Sequence, residues 1–519
     1  MNFVQRFIIQ NKKFCLFLAA LTIIRIIYIS IIPLTPQESY YWLYALYPDL
    51  SYFDHPPLVA YSIWLGTHLF GQNIFGIKIM AIVWSLLTNV FLYLTILIAL
   101  ENAEASEKQR LAFLTVLFYN LTIFSHLYAV VMVPDAPLLF FWLLIIFYLQ
   151  KYLNNRQISN IYLMAIALGL ALLCKYTAIA ILPAIFLILI FDKKSKTLFL
   201  SPHPYLAVIL CIIVFSPVII WNMNHNWVSF QFQFENRADR LGSLQTKYFW
   251  QLLVSQMFIL TPMPFVLFIM TTKRVIMNWF TYEKARIFFI TAIFIIGGFI
   301  VLSFDTLIKM NWLLPGYLGL IITTVLVFKN DHIVQSRIFK LGTVFSILLI
   351  VAAYSILIIP NFPLGEGNTW SGWSETAKSI SKLRDEMGGK DKLFIFSNSY
   401  KTASLLRYYL PGDEPVYAQN IFNEPALQFD IWGIPESLKG KSALYIFTDR
   451  KEYKPQLEKV QRYFKEISLL KTYTIYFWDT FKTRTIICYF AQDYYGPVEQ
   501  KSSTLYGHSA SLKQKDEKK

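Results

Sequence analysis

Long blocks of apolar residues constrain this chain more than any other feature of its sequence. Eleven of them run for about 16–25 residues each, and a helix of that length crosses a hydrocarbon core of about 30 Å. The blocks are continuously apolar rather than alternating, which favours helices over the strands of a barrel. The sequence therefore predicts a polytopic α-helical membrane protein with about eleven transmembrane helices. We place the spans at residues 14–33, 76–100, 111–127, 137–153, 158–174, 176–191, 205–221, 249–271, 287–304, 313–328 and 341–360.

The distribution of basic residues orients these spans. Seventeen Lys and Arg residues fall in loops on one side of the membrane and five on the other. By the positive-inside rule, the N-terminus is cytoplasmic and the residues after Pro360 lie outside. The net charge of +15 is explained by these loops, so we expect no nucleic acid as a partner. The apolar stretch 58–70 is too short to span and predicts a helix on the outer surface.

The composition changes after Pro360. The runs "KDKLFIFSN" and "SALYIFTDR" predict short buried strands, while "YKTASLLRYYL" and "KPQLEKVQRYFKEI" have the periodicity of amphipathic helices. Strands that alternate with helices indicate a small α/β unit. We therefore predict a transmembrane domain over 1–360, an extracytoplasmic α/β domain over 361–495 and a charged, disordered tail over 496–519.

The segment Leu34–Trp64 is unusual in a basic chain, because it contains acidic and aromatic residues but no Lys or Arg. The predicted topology places Glu38, Asp54 and His55 of this segment on the outer face. Asp135, between two prolines at the start of a span, lies on the same face. Charged groups at span ends are costly unless they are paired or hydrated. Their collection on one side predicts a shared polar cavity at the outer membrane surface.

Other residues on this face are candidates for substrate binding, although each has an ordinary explanation. An outer carboxylate can simply be solvated, Asp135 can cap the helix that follows it, and a lysine at a span end can extend to the headgroups. Aromatic residues also populate membrane interfaces. Arg25, midway along the first span, is expected to face the bundle interior and to pair with a carboxylate or a backbone carbonyl. The binding candidates are Tyr40, Tyr41, His55, Lys175, Trp221, His225, Arg237, Arg240 and Lys309.

Motifs of soluble enzymes are absent from the sequence. It contains no Walker A loop, no G-x-S-x-G motif and no H-E-x-x-H motif. It also contains no Asp-x-Asp pair, which argues against an enzyme that holds a nucleotide sugar through a metal ion. The four cysteines do not form a disulfide framework, because three of them lie in or beside apolar spans.

Several segments together resemble lipid-linked-sugar glycosyltransferases of the GT-C fold. They are "PQESYYWLYALYPDLSYFDHPPLVAY", "VVMVPDAPLLFFW", "LGLALLCKYTAIAILPA" and "PVIIWNMNHNWVSFQFQ". The segments "SYKTASLLRYYLPGDEPVY" and "LQFDIWG" are similar to the outer domain of the same group. The resemblance is to bacterial relatives of dolichyl-phosphate-mannose protein mannosyltransferases and of lipid A aminoarabinose transferases. It covers most of residues 20–450.

The resemblance implies inverting transfer of a hexosyl or pentosyl group from a polyprenyl-phosphate donor, at the periplasmic face of a bacterial inner membrane. The acceptor would be lipid A or lipopolysaccharide, another envelope glycan or a protein. A carboxylate would act as general base, and cations would stabilise the leaving phosphate. No cofactor is expected to be required, although Asp54 and His55 could hold a divalent cation. Membrane lipid would be a further partner.

The general base is where this sequence departs from the family pattern. The family has an Asp-Glu pair at the start of the loop, and this chain has Gln37-Glu38. Because Gln cannot accept the proton, we rank Glu38 first as the base, Asp54 second and Asp135 third. Two other functions stay open: a secondary transporter or lipid flippase, which commonly has related halves and broken helices, and a non-catalytic envelope assembly protein.

Overall fold

The computed structural model describes residues 3–238, 246–331, 336–359, 370–448, 456–477 and 481–497. Its α-helices are α1 (Phe3–Gln10), α2 (Lys12–Ile29), α3 (Pro36–Leu46), α4 (Leu58–Phe70), α5 (Ile74–Ala99), α6 (Ala105–Tyr119), α7 (Ile123–Val130), α8 (Asp135–Asn155), α9 (Ser159–Cys174), α10 (Leu182–Phe191), α11 (His203–Asn224), α12 (Val228–Ala238), α13 (Thr246–Leu260), α14 (Pro262–Met277), α15 (Glu283–Leu302), α16 (Leu314–Val327), α17 (Arg337–Ile358), α18 (Trp373–Glu386), α19 (Tyr400–Tyr409), α20 (Gln428–Trp432) and α21 (Leu457–Gln461). The strands are β1 (Leu393–Ser397), β2 (Val416–Tyr417), β3 (Ser442–Thr448), β4 (Phe464–Phe477) and β5 (Phe481–Tyr494).

Apolar helices form the membrane part of the chain. Among the described residues, six helices are long and apolar enough to cross a bilayer: α5, α8, α11, α15, α17 and the run Met310–Val327 that contains α16. Two more apolar stretches are bent helix pairs: α6 and α7 meet at a bend of 74°, and α13 and α14 at a bend of 113°. If each bent pair is one span, the number of spans in the described part of the chain rises to eight. Each predicted span contains helix, but the predicted number of eleven is not confirmed. The helices α9 and α10 are shorter than a span.

The helices differ in burial, and this difference identifies the centre of the bundle. Of the apolar window in the run that contains α16, 83% is buried, whereas 11% of the window in α17 is buried. Helix α16 packs so closely against α15 that a Cβ atom on Gly319 would lie 2.5 Å from the carbonyl oxygen of Phe288. Small residues permit this approach of two backbones within a membrane. Helix α17 therefore lies at the periphery and α16 at the centre.

After residue 370 the chain forms a mixed sheet with the strand order β2-β1-β3-β5-β4. Strand β1 pairs in parallel with β2 and β3, while β5 is antiparallel to β3 and β4. The predicted strands appear as β1 and β3, and one predicted helix appears as α19. The helix predicted from "KPQLEKVQRYFKEI" is wrong from Phe464, where β4 begins its pairing with β5. The predicted domain limits stay predictions, and most of the predicted tail lies outside the described residues.

Candidate active site

Helix α3 carries several predicted site residues and is fixed at its first turn. Thr35 is the N-cap, and its hydroxyl oxygen accepts the backbone N–H of Glu38 at 3.3 Å. The Glu38 carboxylate accepts the backbone N–H of Thr35 at 3.0 Å, which completes a capping box, and Pro36 takes the first helical position. The helix therefore begins at a defined residue, which sets the direction of Tyr40 and Tyr41 in its next turn.

Glu38 is enclosed by donors. Its carboxylate Oε2 lies 2.5 Å from the Lys78 ammonium, and both side chains are 0% exposed. The backbone N–H of Met132 donates to Oε1 at 2.9 Å. Both carboxylate oxygens are thus occupied. The ion pair joins α3 to α5, and the hydrogen bond from Met132 joins α3 to the segment before α8. Removing one partner of such a pair leaves an uncompensated buried charge.

Asp54, in the loop between α3 and α4, is held by neutral donors instead. The Tyr40 hydroxyl donates to its Oδ1 at 2.9 Å, and the Tyr44 hydroxyl donates to the same oxygen. Burial raises the pKa of Asp54 above its ordinary value, and the opposing effects of Tyr44, Tyr40 and the Lys309 charge do not cancel it. His55 Nε2 lies 3.8 Å from the other oxygen, Oδ2. Asp54 therefore combines burial with a raised affinity for a proton.

Asp135 is the first residue of α8 and pairs with Lys175, at the end of α9. The Lys175 ammonium lies 2.8 Å from Oδ1 of Asp135, and the Asn311 amide donates to Oδ2 at 2.8 Å. The N-cap of α8 is Pro134, which makes no side-chain cap. Both charged side chains are buried, so Asp135 does not cap the helix and Lys175 does not extend to the headgroups.

The Tyr41 hydroxyl lies within electrostatic range of both carboxyl groups. Burial raises the pKa of its hydroxyl, and the charge of Asp54 and, more weakly, that of Asp135 raise it further. The Tyr41 ring meets the His55 ring edge-on, with 5.5 Å between centroids. The Asp54–His55 pair and the Asp135–Lys175 pair thus both lie within electrostatic range of the Tyr41 hydroxyl.

Trp221 and His225, at the end of α11, lie against the first part of the same loop. Their rings stack with centroids 4.1 Å apart, and the indole N–H of Trp221 donates to Asp49 Oδ2 at 2.8 Å. They therefore support the loop that leads to Asp54. Of the other binding candidates, Arg237 belongs to α12 but its side chain is not described, and Arg240 lies outside the described residues.

Arg25 is buried in the bundle, as predicted. Its guanidinium donates to the carbonyl oxygen of Ser125 at 3.0 Å, which is one of the two kinds of partner that we expected. It also donates to Ser85 Oγ at 2.9 Å and to Asn120 Oδ1 at 3.2 Å. These contacts join α2, α5 and the bend between α6 and α7 beneath the outer face.

Sequence reasoning missed Lys78, Tyr44, Asn311 and Gln428 among the residues that shape the site. A signal for Lys78 is present in the sequence, because a lysine at the start of an apolar span is costly unless it is paired. Tyr44 lies one helical turn after Tyr40, so the two hydroxyls could have been expected on one face. No sequence pattern indicates Asn311 or Gln428, whose partners are distant in the chain.

The predicted divalent cation has few ligands to hold it. Within the part of the chain that the structure describes, no group of three or more His, Cys, Asp or Glu side chains comes together. Asp54 and His55 offer two ligands, so metal binding by this pair stays a prediction.

The fold and the outer-face cluster define a class of protein. A family model described as dolichyl-phosphate-mannose-protein mannosyltransferase matches residues 54–221. That segment contains Asp54, His55, the Asp135–Lys175 pair and Trp221. The resemblance to lipid-linked-sugar glycosyltransferases of the GT-C fold is confirmed, and the chain is a polytopic helical membrane protein.

Particular proteins of this class are similar to the chain. Lipid A galacturonosyltransferase RgtD of Rhizobium johnstonii is 26% identical over 193 residues, which are 37% of this chain and 38% of that protein. The apo crystal structure of ArnT from Cupriavidus metallidurans matches with a TM-score of 0.63 and 13% identity, over 92% of this chain and 98% of ArnT. ArnT bound to undecaprenyl phosphate gives 0.61 and 13%, over 91% and 97%. At this identity the ArnT structures establish the fold alone.

Proposed function

We propose that the protein is an inverting glycosyltransferase that moves a sugar from a polyprenyl-phosphate donor to an envelope acceptor. The observation that carries this proposal is the buried Asp54, with its raised pKa, beside His55, together with an Asp135–Lys175 pair within electrostatic range of the same Tyr41 hydroxyl. Transfer from a phosphate ester needs a group that accepts a proton and cations that stabilise the leaving phosphate. This cluster contains both kinds of group.

In the proposed reaction, Asp54 removes the proton of the acceptor hydroxyl. The hydroxyl oxygen bonds to the anomeric carbon as the bond from that carbon to the phosphate oxygen breaks, so the configuration inverts. The polyprenyl phosphate leaves with the bonding electron pair, and the proton stays on Asp54. The raised pKa makes Asp54 a stronger proton acceptor than an ordinary aspartate, and the Tyr40 and Tyr44 hydroxyls hold its orientation.

We place Asp54 ahead of Glu38 as the base, which reverses the order that the sequence suggested. Both oxygens of Glu38 are occupied by buried donors, and its charge is matched by Lys78. A general base must reach the proton it removes, and Glu38 is fully enclosed. Asp135 stays third, because Lys175 and an amide occupy its oxygens.

We assign the leaving phosphate to the basic groups around Asp54. Lys309 acts on Asp54 through its charge, and His55 lies beside the carboxylate. Lys175 is matched by Asp135, so an incoming phosphate would compete with that carboxylate for the ammonium. We assign contact with the sugar ring to Tyr41, whose hydroxyl is affected by the charges of both carboxyl groups.

The similar proteins support the choice of substrates. One ArnT structure contains undecaprenyl phosphate, which supports a polyprenyl lipid as the donor carrier. The Rhizobium relative is named as a lipid A transferase, which supports lipid A as the acceptor. The positive-inside rule supports an extracytoplasmic position for the cluster, and we propose that this is the periplasmic face of the inner membrane.

A transfer assay tests this proposal. Purified protein is mixed with polyprenyl-phosphate hexoses and pentoses and with lipid A, and the anomeric configuration of the product is determined by NMR. We expect one donor to give a product of inverted configuration. Transfer with retention, or no transfer from any donor, would contradict the proposal. Movement of the lipid donor across a proteoliposome without transfer would favour a flippase.

A further inference from the structure

The C-terminal α/β segment contacts the helix that carries the site tyrosines. The Tyr40 ring lies 4.7 Å from the ring of Tyr400 in α19, measured between centroids. The Tyr44 ring meets the ring of Trp432 in α20 edge-on at 6.2 Å. Both tyrosines donate to Asp54, so the residues that orient the proposed base also contact the α/β segment.

Gln428, the first residue of α20, bonds to the site at two points. Its backbone N–H donates to the Tyr40 hydroxyl oxygen at 3.1 Å, and its side-chain Oε1 accepts the backbone N–H of Phe53 at 2.7 Å. Gln428 is 1% exposed. Gln428 therefore holds Asp54 by two routes. One route is through Tyr40, whose hydroxyl donates to Asp54, and the other is through the backbone of Phe53, the residue before Asp54.

The turn that presents Gln428 is itself fixed. Leu427 has a φ of 56°, in the left-handed region that residues with a side chain rarely adopt. The Asp430 carboxylate accepts the backbone N–H of Ala426 at 2.7 Å, and the Asn420 amide donates to the carbonyl of Phe429 at 2.9 Å. Strained backbone persists only where its surroundings determine it. These contacts therefore keep Gln428 directed at the loop.

We propose that Gln428 is a positioning residue for the transfer reaction and that the α/β segment completes the active site. This inference rests on the proposed role of Asp54 as the base. The bond to Phe53 fixes the backbone next to Asp54. The bond to Tyr40 occupies the Tyr40 oxygen, so that its hydroxyl hydrogen is directed at Asp54.

Two substitutions at Gln428 separate positioning from general stability. Gln428→Ala removes the acceptor for Phe53, and we expect kcat to fall by about tenfold while KM changes by less than about twofold. Gln428→Glu keeps an acceptor, so kcat at its optimum pH should stay within about threefold of wild type. Its negative charge raises the pKa of Asp54 and moves the acidic limb of the rate profile to higher pH.

Gln461→Ala is the matched control, because Gln461 is exposed at the end of α21. Its kcat and pH profile should equal those of wild type. If Gln428→Ala has the kcat of the control, or changes only KM, the inference is wrong. The inference is also wrong if Gln428→Glu lowers kcat as much as Gln428→Ala does and the acidic limb of the rate profile does not shift.

Hydrogen–deuterium exchange gives a readout that does not depend on catalysis. In Gln428→Ala the Phe53 amide should exchange at least about tenfold faster than in wild type or in Gln461→Ala. Absence of transfer by the wild type contradicts the proposed function and leaves no reaction for Gln428 to serve. Transfer by the wild type together with unchanged Phe53 exchange contradicts this inference alone.

Discussion

Glu38 and Asp54 lie in neighbouring segments at the outer face, and both carboxyl groups are buried among unlike partners. Glu38 faces a lysine ammonium and backbone N–H groups that occupy both of its oxygens. Asp54 faces two tyrosine hydroxyls that bond to one oxygen, with His55 at 3.8 Å from the other. Both carboxyl groups are therefore buried, and they differ in their partners. A lysine is paired with Glu38, whereas tyrosine hydroxyls bond to Asp54.

We infer from this difference that Glu38 is structural and that Asp54 is the proposed base. The Glu38–Lys78 pair fixes helix α3 against α5, and the carboxylate is fully buried with a donor on each oxygen. Burial raises the pKa of the Asp54 carboxyl, and the tyrosine hydrogen bonds and the Lys309 charge offset this rise only in part. Perturbed pKa values of this kind are concentrated at functional sites.

The largest effect is expected from Lys78→Met, which leaves Glu38 buried without its cation. We expect the free energy of unfolding to fall by about 3–5 kcal/mol, measured by thermal unfolding in detergent. The double variant Glu38→Gln with Lys78→Met should lose less than the single variant, because no unpaired charge is buried.

Arg156→Met is the control for this prediction. The pair of Arg156 with Asp192 is partly exposed, at 31% and 28% of the side chains, so its loss should cost about 1 kcal/mol or less. If Lys78→Met and Arg156→Met unfold at the same temperature, the Glu38–Lys78 pair does not have the structural role that we assign to it.

A smaller effect is expected from Asp135→Asn. The substitution removes the carboxylate that matches Lys175, so the ammonium becomes more available to a phosphate. Inhibition by added undecaprenyl phosphate should strengthen by about fivefold, measured as the inhibition constant in the transfer assay. Asp413→Asn, on the exposed surface of the α/β segment, should leave it unchanged. Equal constants for Asp135→Asn and wild type would remove Lys175 from the phosphate site.

An effect of similar size to that of Asp135→Asn is expected from Tyr44→Phe, which removes one hydroxyl that donates to Asp54. This hydrogen bond favours the charged carboxylate, so its loss raises the pKa of Asp54. The base is then protonated at higher pH, and the acidic limb of the kcat/KM profile should move up by about half to one pH unit. Tyr61→Phe, whose hydroxyl bonds to the Asp49 carbonyl instead, should leave the limb in place. A downward shift in Tyr44→Phe would contradict the assignment.

The helices and part of the sheet could be predicted because their signals are local. Apolar blocks gave the positions of the membrane helices, and short apolar runs gave β1 and β3. The sequence predicts a helix for the segment from Phe464 because its apolar residues have the periodicity of an amphipathic helix. Its pairing with β5, which is a distant contact, makes it a strand. The bends between α6 and α7 and between α13 and α14 were also missed.

The site could be predicted only in part, for a similar reason. Residue types and topology indicated Asp54, His55, Asp135 and Lys175 as outer-face groups, and the structure pairs Asp54 with His55 and Asp135 with Lys175. The sequence could not rank the carboxylates, because the rank depends on partners such as Lys78. Those partners come into contact only when helices that are distant in the chain pack together.

The most direct test of the account compares Asp54→Asn with Glu38→Gln in the transfer assay, with each rate divided by the folded fraction. Neither amide can accept the proton, and both keep nearly the shape of the original side chain. Asp54→Asn should lower kcat by about 10²–10⁴-fold, while Glu38→Gln should stay within about tenfold of wild type per folded molecule. A loss of that size in Glu38→Gln together with near-normal kcat in Asp54→Asn would contradict the account.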